Sequence, residues 1–305
     1  MISHIATIFK LQKKVYDPFI HILFSLLWFL SLKGTLLLGQ SSFSGNYLVW
    51  QDILIVVTFY LALFYLRLAD EIKDFEYDKV YNPDRPLVQQ WVTKKDIFVY
   101  MIFVSLLTLG LNLPLSTKLI LFIAFELLYG YSLIGIERMW PKVADNIYLN
   151  LIFTYPVNIM LSVYTLLYTV QYIGTFETSM VFPIIAFAFA FLFHEFGRKT
   201  RWPELVENTA RIYSRKIGGR ASAYLTLFCG IAAPLIIFFY IMKGSTFTFH
   251  YVYLLLFLCW IPAFTGVTKF LRNHTKKQRI STGFTYLITF YTSILVVELL
   301  MIHFI

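Results

Sequence analysis

Residues 48–86 read LVWQDILIVVTFYLALFYLRLADEIKDFEYDKVYNPDRP. Residues 48–68 form an apolar run of the roughly 20 residues that a helix needs to cross the hydrocarbon core of a bilayer. Directly after it come Asp70, Glu71, Asp74, Glu76, Asp78 and Asp84, interleaved with Lys73, Lys79 and Arg85 and preceded by Arg67. Asp70, Asp74 and Asp78 stand at i, i+4 and i+8, which places them along one helical face. Like charges at that spacing weaken a helix by about 0.2–0.5 kcal/mol per pair. A bound cation turns that repulsion into a ligand set, and carboxylate oxygens bridging to phosphates suit Mg²⁺.

The surroundings make this charge density unusual. The chain has 305 residues, 58% hydrophobic and only 14% charged, with a mean hydropathy of +0.68. Soluble domains are about 25% charged, so the composition is that of a membrane protein. Nine segments are long and apolar enough to span: 18–40, 48–68, 96–114, 117–136, 147–172, 179–197, 221–242, 249–271 and 281–305. They are continuous apolar runs without strict alternation, which excludes a β-barrel and predicts an all-α bundle of nine transmembrane helices around a central cavity. The third and fourth, joined only by LPLS at 113–116, predict a tight helical hairpin. Residues 1–17 carry no cleavable signal and predict an interfacial helix, with Ile5, Ile8 and Phe9 toward lipid and Lys10, Lys13 and Lys14 toward water. Cys229 and Cys259 fall inside spans and read as buried small hydrophobes without a disulfide. Residues 1–305 read as a single integral membrane domain.

Lys and Arg set the orientation. The N-terminus and the connections after the second, fourth, sixth and eighth spans hold 23 of the 26, Lys276 and Lys277 among them. Only Lys33, Lys118 and Lys243 remain for the opposite side. The N-terminus and these loops are therefore expected in the cytoplasm, as in a multi-pass protein of a bacterial cytoplasmic membrane. The net charge of +9 then reflects topology and attraction to anionic membrane lipids, with no nucleic-acid partner.

A second polar loop follows the sixth span, FHEFGRKTRWPELVENTARIYSRKIGGR at 193–220. His194 and Glu195 end the helix, Arg198, Lys199 and Arg201 follow, and Pro203 stops it. Arg forks match phosphate oxygens and Lys supplies a point charge. Carboxylates with a metal in one loop and cations in the other would neutralise a diphosphate from both directions. A basic cytoplasmic loop also serves topology alone, and His194 reads as a surface or interfacial residue. The acidic run is different, because acidic residues contribute little to orientation. A carrier is the rival reading, with Asp52, Glu126, Glu195 and Glu298 as ionisable groups within the spans. No Gly/Pro-interrupted helices in matching halves support it.

The motifs resemble the UbiA-type superfamily of intramembrane prenyltransferases. Asp70, Glu71, Asp74 and Asp78 follow its pattern N/D-D-x-x-D-x-x-x-D, with Arg85-Pro86 after it. Leu128-Tyr129-Gly130-Tyr131-Ser132 is similar to its "lYs" segment. Glu195, Gly197, Arg198, Lys199, Arg201, Pro203 and Glu204, then Tyr213-Ser214 and Gly218, resemble the branch carrying E-x-G/S-R-K-x-R-x-P-E. The second Asp motif of most members, which holds a second Mg²⁺, is missing, and Arg211 stands where an Asp is usual. The resemblance implies a nine-helix fold and Mg²⁺-dependent transfer of an isoprenoid group from a prenyl diphosphate donor to a lipophilic, often aromatic, acceptor. It implies Asp70, Glu71, Asp74 and Asp78 as metal ligands, and Asp70, Asp74, Asp78, Arg85, Arg198 and Lys199 as catalytic residues. Arg67, Lys79, Glu195, Arg201 and Glu204 are the implied substrate contacts. Direct Arg/Lys contacts are expected to replace part of the second metal. Some members are terpene cyclases, which share the ionisation step.

Overall fold

A computed structural model describes residues 2–40, 46–207, 211–244, 251–275 and 278–304, and among these there is no strand. The helices are α1 (Ile2–Val15), α2 (Pro18–Leu38), α3 (Gln51–Lys73), α4 (Phe75–Tyr81), α5 (Lys94–Asn112), α6 (Thr117–Met139), α7 (Pro141–Asp145), α8 (Ile147–Thr154), α9 (Pro156–Ile173), α10 (Val181–Arg198), α11 (Ser214–Ile217), α12 (Gly219–Gly244), α13 (Trp260–Arg272) and α14 (Gly283–Phe304). Short 3₁₀ segments cover Thr178–Met180, Pro203–Leu205 and Tyr251–Cys259. Among the described residues nine segments are long and apolar enough to cross a membrane, one for each expected span. Ile305, Lys276, Lys277 and residues 249–250 lie outside the described residues.

Three expectations change in detail. The second span, read to residue 68, continues to Lys73, because charged side chains end an apolar run without ending helical hydrogen bonding. The fifth span is broken between Thr154 and Pro156; proline lacks the N–H that a continuous helix would use there. The eighth begins as 3₁₀ helix and becomes α-helical at Trp260.

The chain divides into two compact units, residues 1–29 with 48–144, and residues 30–47 with 145–305. In the first, α3 packs against α5 and α6. Asp52, in the first turn of α3, accepts the Val49 N–H at 2.9 Å and ties the preceding segment to the helix. Thr93 and Asp96 form a reciprocal cap at the start of α5, a motif that satisfies two otherwise orphaned N–H groups. Deep in the apolar interior, Asn112 Nδ2 donates to Thr58 Oγ1 at 2.9 Å, which fixes α5 to α3. Tyr65 donates to the Leu127 carbonyl at 2.9 Å. A Cβ at Gly130 would meet Leu66 Cδ2 at 2.8 Å, so the glycine sets how closely α6 approaches α3. A cluster of Leu11, Tyr16, Phe64, Leu68, Leu87, Ile97 and Tyr100 closes the end of this unit from which the acidic motif projects. The α1 helix differs from the expected lipid-facing one. Leu11 is buried and Ile8 packs on the same cluster, while Phe9 stays exposed and Lys10 and Lys14 lie over the Trp91 ring at 4.8 and 5.9 Å. The side chain of Ile5 is outside the described residues.

In the second unit α10 packs along α12, and α14 packs against the 3₁₀ segment and α10. Tyr286 donates to the Gly230 carbonyl at 2.8 Å. Trp202 stacks on Phe270 at 4.8 Å and donates to the Asn273 carbonyl at 2.9 Å, which anchors the loop after α10 to the end of α13. A Cβ at Gly219 would meet that indole at 2.7 Å. Lys33 is buried within α2, where its ammonium donates to the Tyr47 carbonyl at 2.9 Å. Cys229 and Cys259 are free and buried, as expected.

The ionisable groups of the carrier reading sort by their partners. Asp52 accepts the Val49 N–H. Glu298 accepts from Tyr47 at 2.6 Å and Thr35 at 3.1 Å. Glu126 is 1% exposed, and neither carboxyl oxygen has a hydrogen-bond partner among the described residues. A buried polar group left unpaired costs about 1–3 kcal/mol. Glu126→Leu should therefore stabilise the protein by about that amount, read as a higher thermal midpoint in detergent. A lower midpoint would show that Glu126 is held by a partner of its own.

Candidate active site

Each unit carries one of the two charged loops read in the sequence. In the first, α3 runs to Lys73 and α4 resumes at Phe75, with Asp74 between them at φ −89° and ψ 8°. The backbone keeps its helical register through this junction. The Asp74 N–H bonds the Asp70 carbonyl at 2.9 Å, Asp78 bonds Asp74 at 2.8 Å, and Asn82 bonds Asp78 at 2.9 Å. The three aspartates thus stand on successive turns, as their spacing predicts.

Their side chains are drawn to two sides. On one side Glu71, 2% exposed, accepts from Arg67 at 2.5 Å and Arg85 at 3.1 Å through the same oxygen, Oε1. Asp78 accepts from Asn82 Nδ2 at 2.6 Å and lies 3.7 Å from Arg85 Nε. Burial pushes the Asp78 carboxyl above its ordinary range, the Asn82 amide opposes that shift, and the charges of Asp74 and Asp70 add to it. On the other side Asp70 pairs with Lys73 at 3.0 Å, and Lys73 lies 3.6 Å from Glu137 on α6. Arg85 reaches the cluster because residues 82–91 fold back in successive turns, Arg85 N–H to the Asn82 carbonyl and Trp91 N–H to the Pro86 carbonyl. Lys79 is placed elsewhere: it pairs with exposed Glu76 at 2.9 Å and lies over the Phe75 ring at 4.4 Å.

The donor set is all oxygen, the kind a hard divalent cation takes. As placed, no three His, Cys, Asp or Glu side chains converge on one point among the described residues. One atom asks for a partner: Glu71 Oε2 is buried and makes no hydrogen bond. A cation there would satisfy it, so the residues fit Mg²⁺ in chemistry and charge.

The second cluster gathers at the end of α10. Glu195 accepts from Arg198 Nε at 2.5 Å through Oε2 and from Lys199 Nζ at 2.7 Å through Oε1. Tyr213 returns over the helix end, its N–H bonding the Lys199 carbonyl at 3.2 Å and its hydroxyl donating to Glu195 Oε1 at 3.2 Å. Its ring lies 5.8 Å from the Lys199 ammonium, and Tyr148 packs edge-on against it at 5.6 Å. Burial, reinforced by the Glu195 charge, pushes the Tyr213 phenol well above its ordinary range, so it remains a neutral donor. Arg201 is tied by its backbone to Ser214, which donates to the Arg201 carbonyl at 2.5 Å. Arg198 keeps half of its side chain exposed.

Two residues sit differently from their expectation. Glu204 is exposed and pairs with His274 at 2.5 Å, a contact that holds its carboxyl below the ordinary range after its own backbone hydrogen bond. It is not gathered with Glu195, Arg198 and Lys199. His194 is packed rather than superficial: a Cβ on Gly283 would meet its Nδ1 at 2.8 Å, and that nitrogen is buried without a partner among the described residues.

Sequence reasoning left out Lys73, Asn82, Glu137 and Tyr213 as site residues. Asn82 extends the series 70, 74, 78 by one more step of four, a signal that could have found it. Glu137 lies 64 residues from Lys73 along the chain and becomes visible only when α6 packs on α3.

No family model matches the chain, and no curated protein matches it by sequence. Solved structures do. One is described as giving structural and mechanistic insights into the biosynthesis of digeranylgeranylglyceryl phosphate synthase in membranes; it is 16% identical, covers 93% of this chain and 98% of its own, and superposes with a TM-score of 0.56. Another is a UbiA homolog from Archaeoglobus fulgidus bound to GPP and Mg²⁺, 10% identical, covering 91% of this chain and 99% of its own, with a TM-score of 0.53. The likeness runs the length of the chain and gives the protein a UbiA-type fold.

Proposed function

We propose that the protein is a Mg²⁺-dependent prenyltransferase that moves an isoprenoid group from a prenyl diphosphate to a lipophilic acceptor within the membrane. The observation that carries this reading is the acidic face of Asp70, Asp74 and Asp78 beside a buried Glu71 oxygen without a partner, on a fold shared with a homolog bound to GPP and Mg²⁺. Asp70, Glu71, Asp74 and Asp78 would hold the ion, which supplies Lewis-acid neutralisation of diphosphate oxygens.

The chain's own cations do the rest. Arg85, which pairs with Glu71 beside Arg67, would contact phosphate oxygens of the donor. Arg198 and Lys199, oriented by Glu195 and Tyr213, stabilise the negative charge that grows on the leaving diphosphate as the allylic C–O bond breaks. Arg201 adds a further contact. The allylic carbocation must meet its acceptor before water does, and an apolar helical interior excludes water. The polar loops are assigned to the cytoplasmic side on the strength of the Lys/Arg asymmetry.

The test is product analysis by mass spectrometry after incubating the purified protein with C10–C20 prenyl diphosphates, with and without a membrane lipid extract. A prenylated lipid that appears only with the extract supports the reading. A cyclic hydrocarbon or alcohol formed without any acceptor would assign the chain to cyclisation instead. Chelation of divalent ions should abolish turnover and added Mg²⁺ should restore it. Diphosphate release that persists in excess EDTA would remove the metal from the mechanism.

A further inference from the structure

We infer that Lys73 is a resident cation of the acidic site, its ammonium supplying part of the positive charge that a second divalent ion would bring and leaving room for only one. The inference rests on the Mg²⁺–diphosphate reading above and deepens it. Lys73 occupies one of the unspecified positions of the acidic motif, so the motif itself does not call for it. Its side chain is 8% exposed, and it lies 3.0 Å from Asp70 and 3.6 Å from Glu137, whose side chain is equally buried. Sequestering an ammonium from water is costly unless carboxylates surround it. Lysine also offers a compact point charge with three donors, closer to a metal ion than the planar fork of arginine.

Charge balance points the same way. The mutually interacting set comprises five carboxylates, on Asp70, Glu71, Asp74, Asp78 and Glu137, and three cations, on Arg67, Lys73 and Arg85. Before a diphosphate enters, the difference is two negative charges, the charge of one Mg²⁺. The exposed Glu76–Lys79 pair is balanced in itself. Glu71 Oε2 is the one carboxyl oxygen of the set that is both buried and without a hydrogen bond, a single open position for a single ion. Glu137, outside the motif and on another helix, keeps Lys73 in place and adds to the field without being a ligand.

The charges make opposite predictions for two variants of the full chain in detergent. Mn²⁺ is titrated by electron paramagnetic resonance in the presence of inorganic pyrophosphate, and thermal midpoints are read in EDTA and in Mg²⁺. The wild type should bind one Mn²⁺ per chain. Lys73→Met, which removes a positive charge, should tighten Mn²⁺ binding about tenfold and admit a second ion. Its midpoint should fall in EDTA and recover in Mg²⁺. Glu137→Gln, which removes a negative charge while leaving every motif carboxylate in place, should weaken Mn²⁺ binding about tenfold. Two Mn²⁺ per wild-type chain, or a Lys73→Met midpoint that Mg²⁺ does not restore, would reduce Lys73 to an ordinary interhelical ion pair. If Lys73→Met does not fold, unchanged Mn²⁺ affinity in Glu137→Gln overturns the inference by itself. A wild type that binds no Mn²⁺ removes the metal reading beneath it, a distinct failure.

Discussion

Asp74→Ala should abolish turnover while leaving the protein folded. Asp74 joins α3 to α4 and stands on the turn between Asp70 and Asp78. Its backbone makes the hydrogen bonds that carry the helix through the junction, and alanine keeps all of them. The change therefore removes a carboxylate from the middle of the proposed ligand set without breaking the element that displays it. Losing a group that acts only on developing transition-state charge costs about 10²–10³ in rate. A metal ligand should cost more, because occupancy falls as well. The prediction is a loss of at least about 10³ in kcat, with an unchanged elution profile in detergent. Retained Mg²⁺-dependent activity would sink the assignment of the acidic face.

The second large effect concerns the cationic cluster. Replacing Arg198 and Lys199 together by Ala should lower kcat by about 10²–10³, the range for losing preorganised charge at a leaving group. Taken alone this double variant is ambiguous. Glu195, with 17% of its side chain exposed, would keep only the Tyr213 hydroxyl as a partner. A carboxylate left without its cations destabilises the fold. The variant with Glu195→Gln in the same background resolves the two effects, because it restores neutrality without restoring the cations. Recovered stability with activity still lost assigns Arg198 and Lys199 to diphosphate binding or ionisation. Activity that returns along with stability would give the second loop a structural and topological role only.

The acidic and basic clusters share a design that bears on both experiments. Three of the four carboxylates that could hold an ion are paired with a cation of the chain, Asp70 with Lys73, Glu71 with Arg67 and Arg85, Asp78 with Arg85. Such pairs keep a carboxylate-rich helix end folded where water is scarce. They also set a threshold that an incoming divalent ion must exceed. Substitutions of the arginines should therefore disturb stability as well as catalysis.

How much was legible in the sequence depended on the range of the physics involved. The nine spans were readable because burial in hydrocarbon demands long apolar runs, a requirement written continuously along the chain. The places where reading fell short are ones where hydrogen bonding and polarity separate. The α3 helix runs on past its apolar part to Lys73, and the fifth span breaks at Pro156 while remaining apolar throughout. The candidate site divides in the same manner. The spacing of four placed Asp70, Asp74 and Asp78 on successive turns, since helical register is local. The pairs Asp70–Lys73 and Glu71–Arg67 share that local register, but the contacts of Arg85 and Glu137 were beyond reach, because Arg85 arrives by a folded-back loop and Glu137 from a different helix. Glu204 shows the converse: its place in the motif suggested a substrate contact, and the loop anchored by Trp202 turns it to His274 instead.

The sequence by itself determined that this protein lives in a membrane, how many times it can cross, and which local run carries the acids. Those properties follow from hydrophobicity and helical periodicity, which act between residues close in the chain. Tertiary structure alone decided that Lys73 is buried between Asp70 and Glu137, that Tyr213 closes over Glu195, and that one oxygen of Glu71 is left without a partner. Pairs three or four apart, such as Asp70–Lys73 and Arg67–Glu71, follow from helical register, but the approach of Glu137 and Tyr213 and the orphaned Glu71 oxygen are set by segments that meet only in the fold, and no local pattern encodes them.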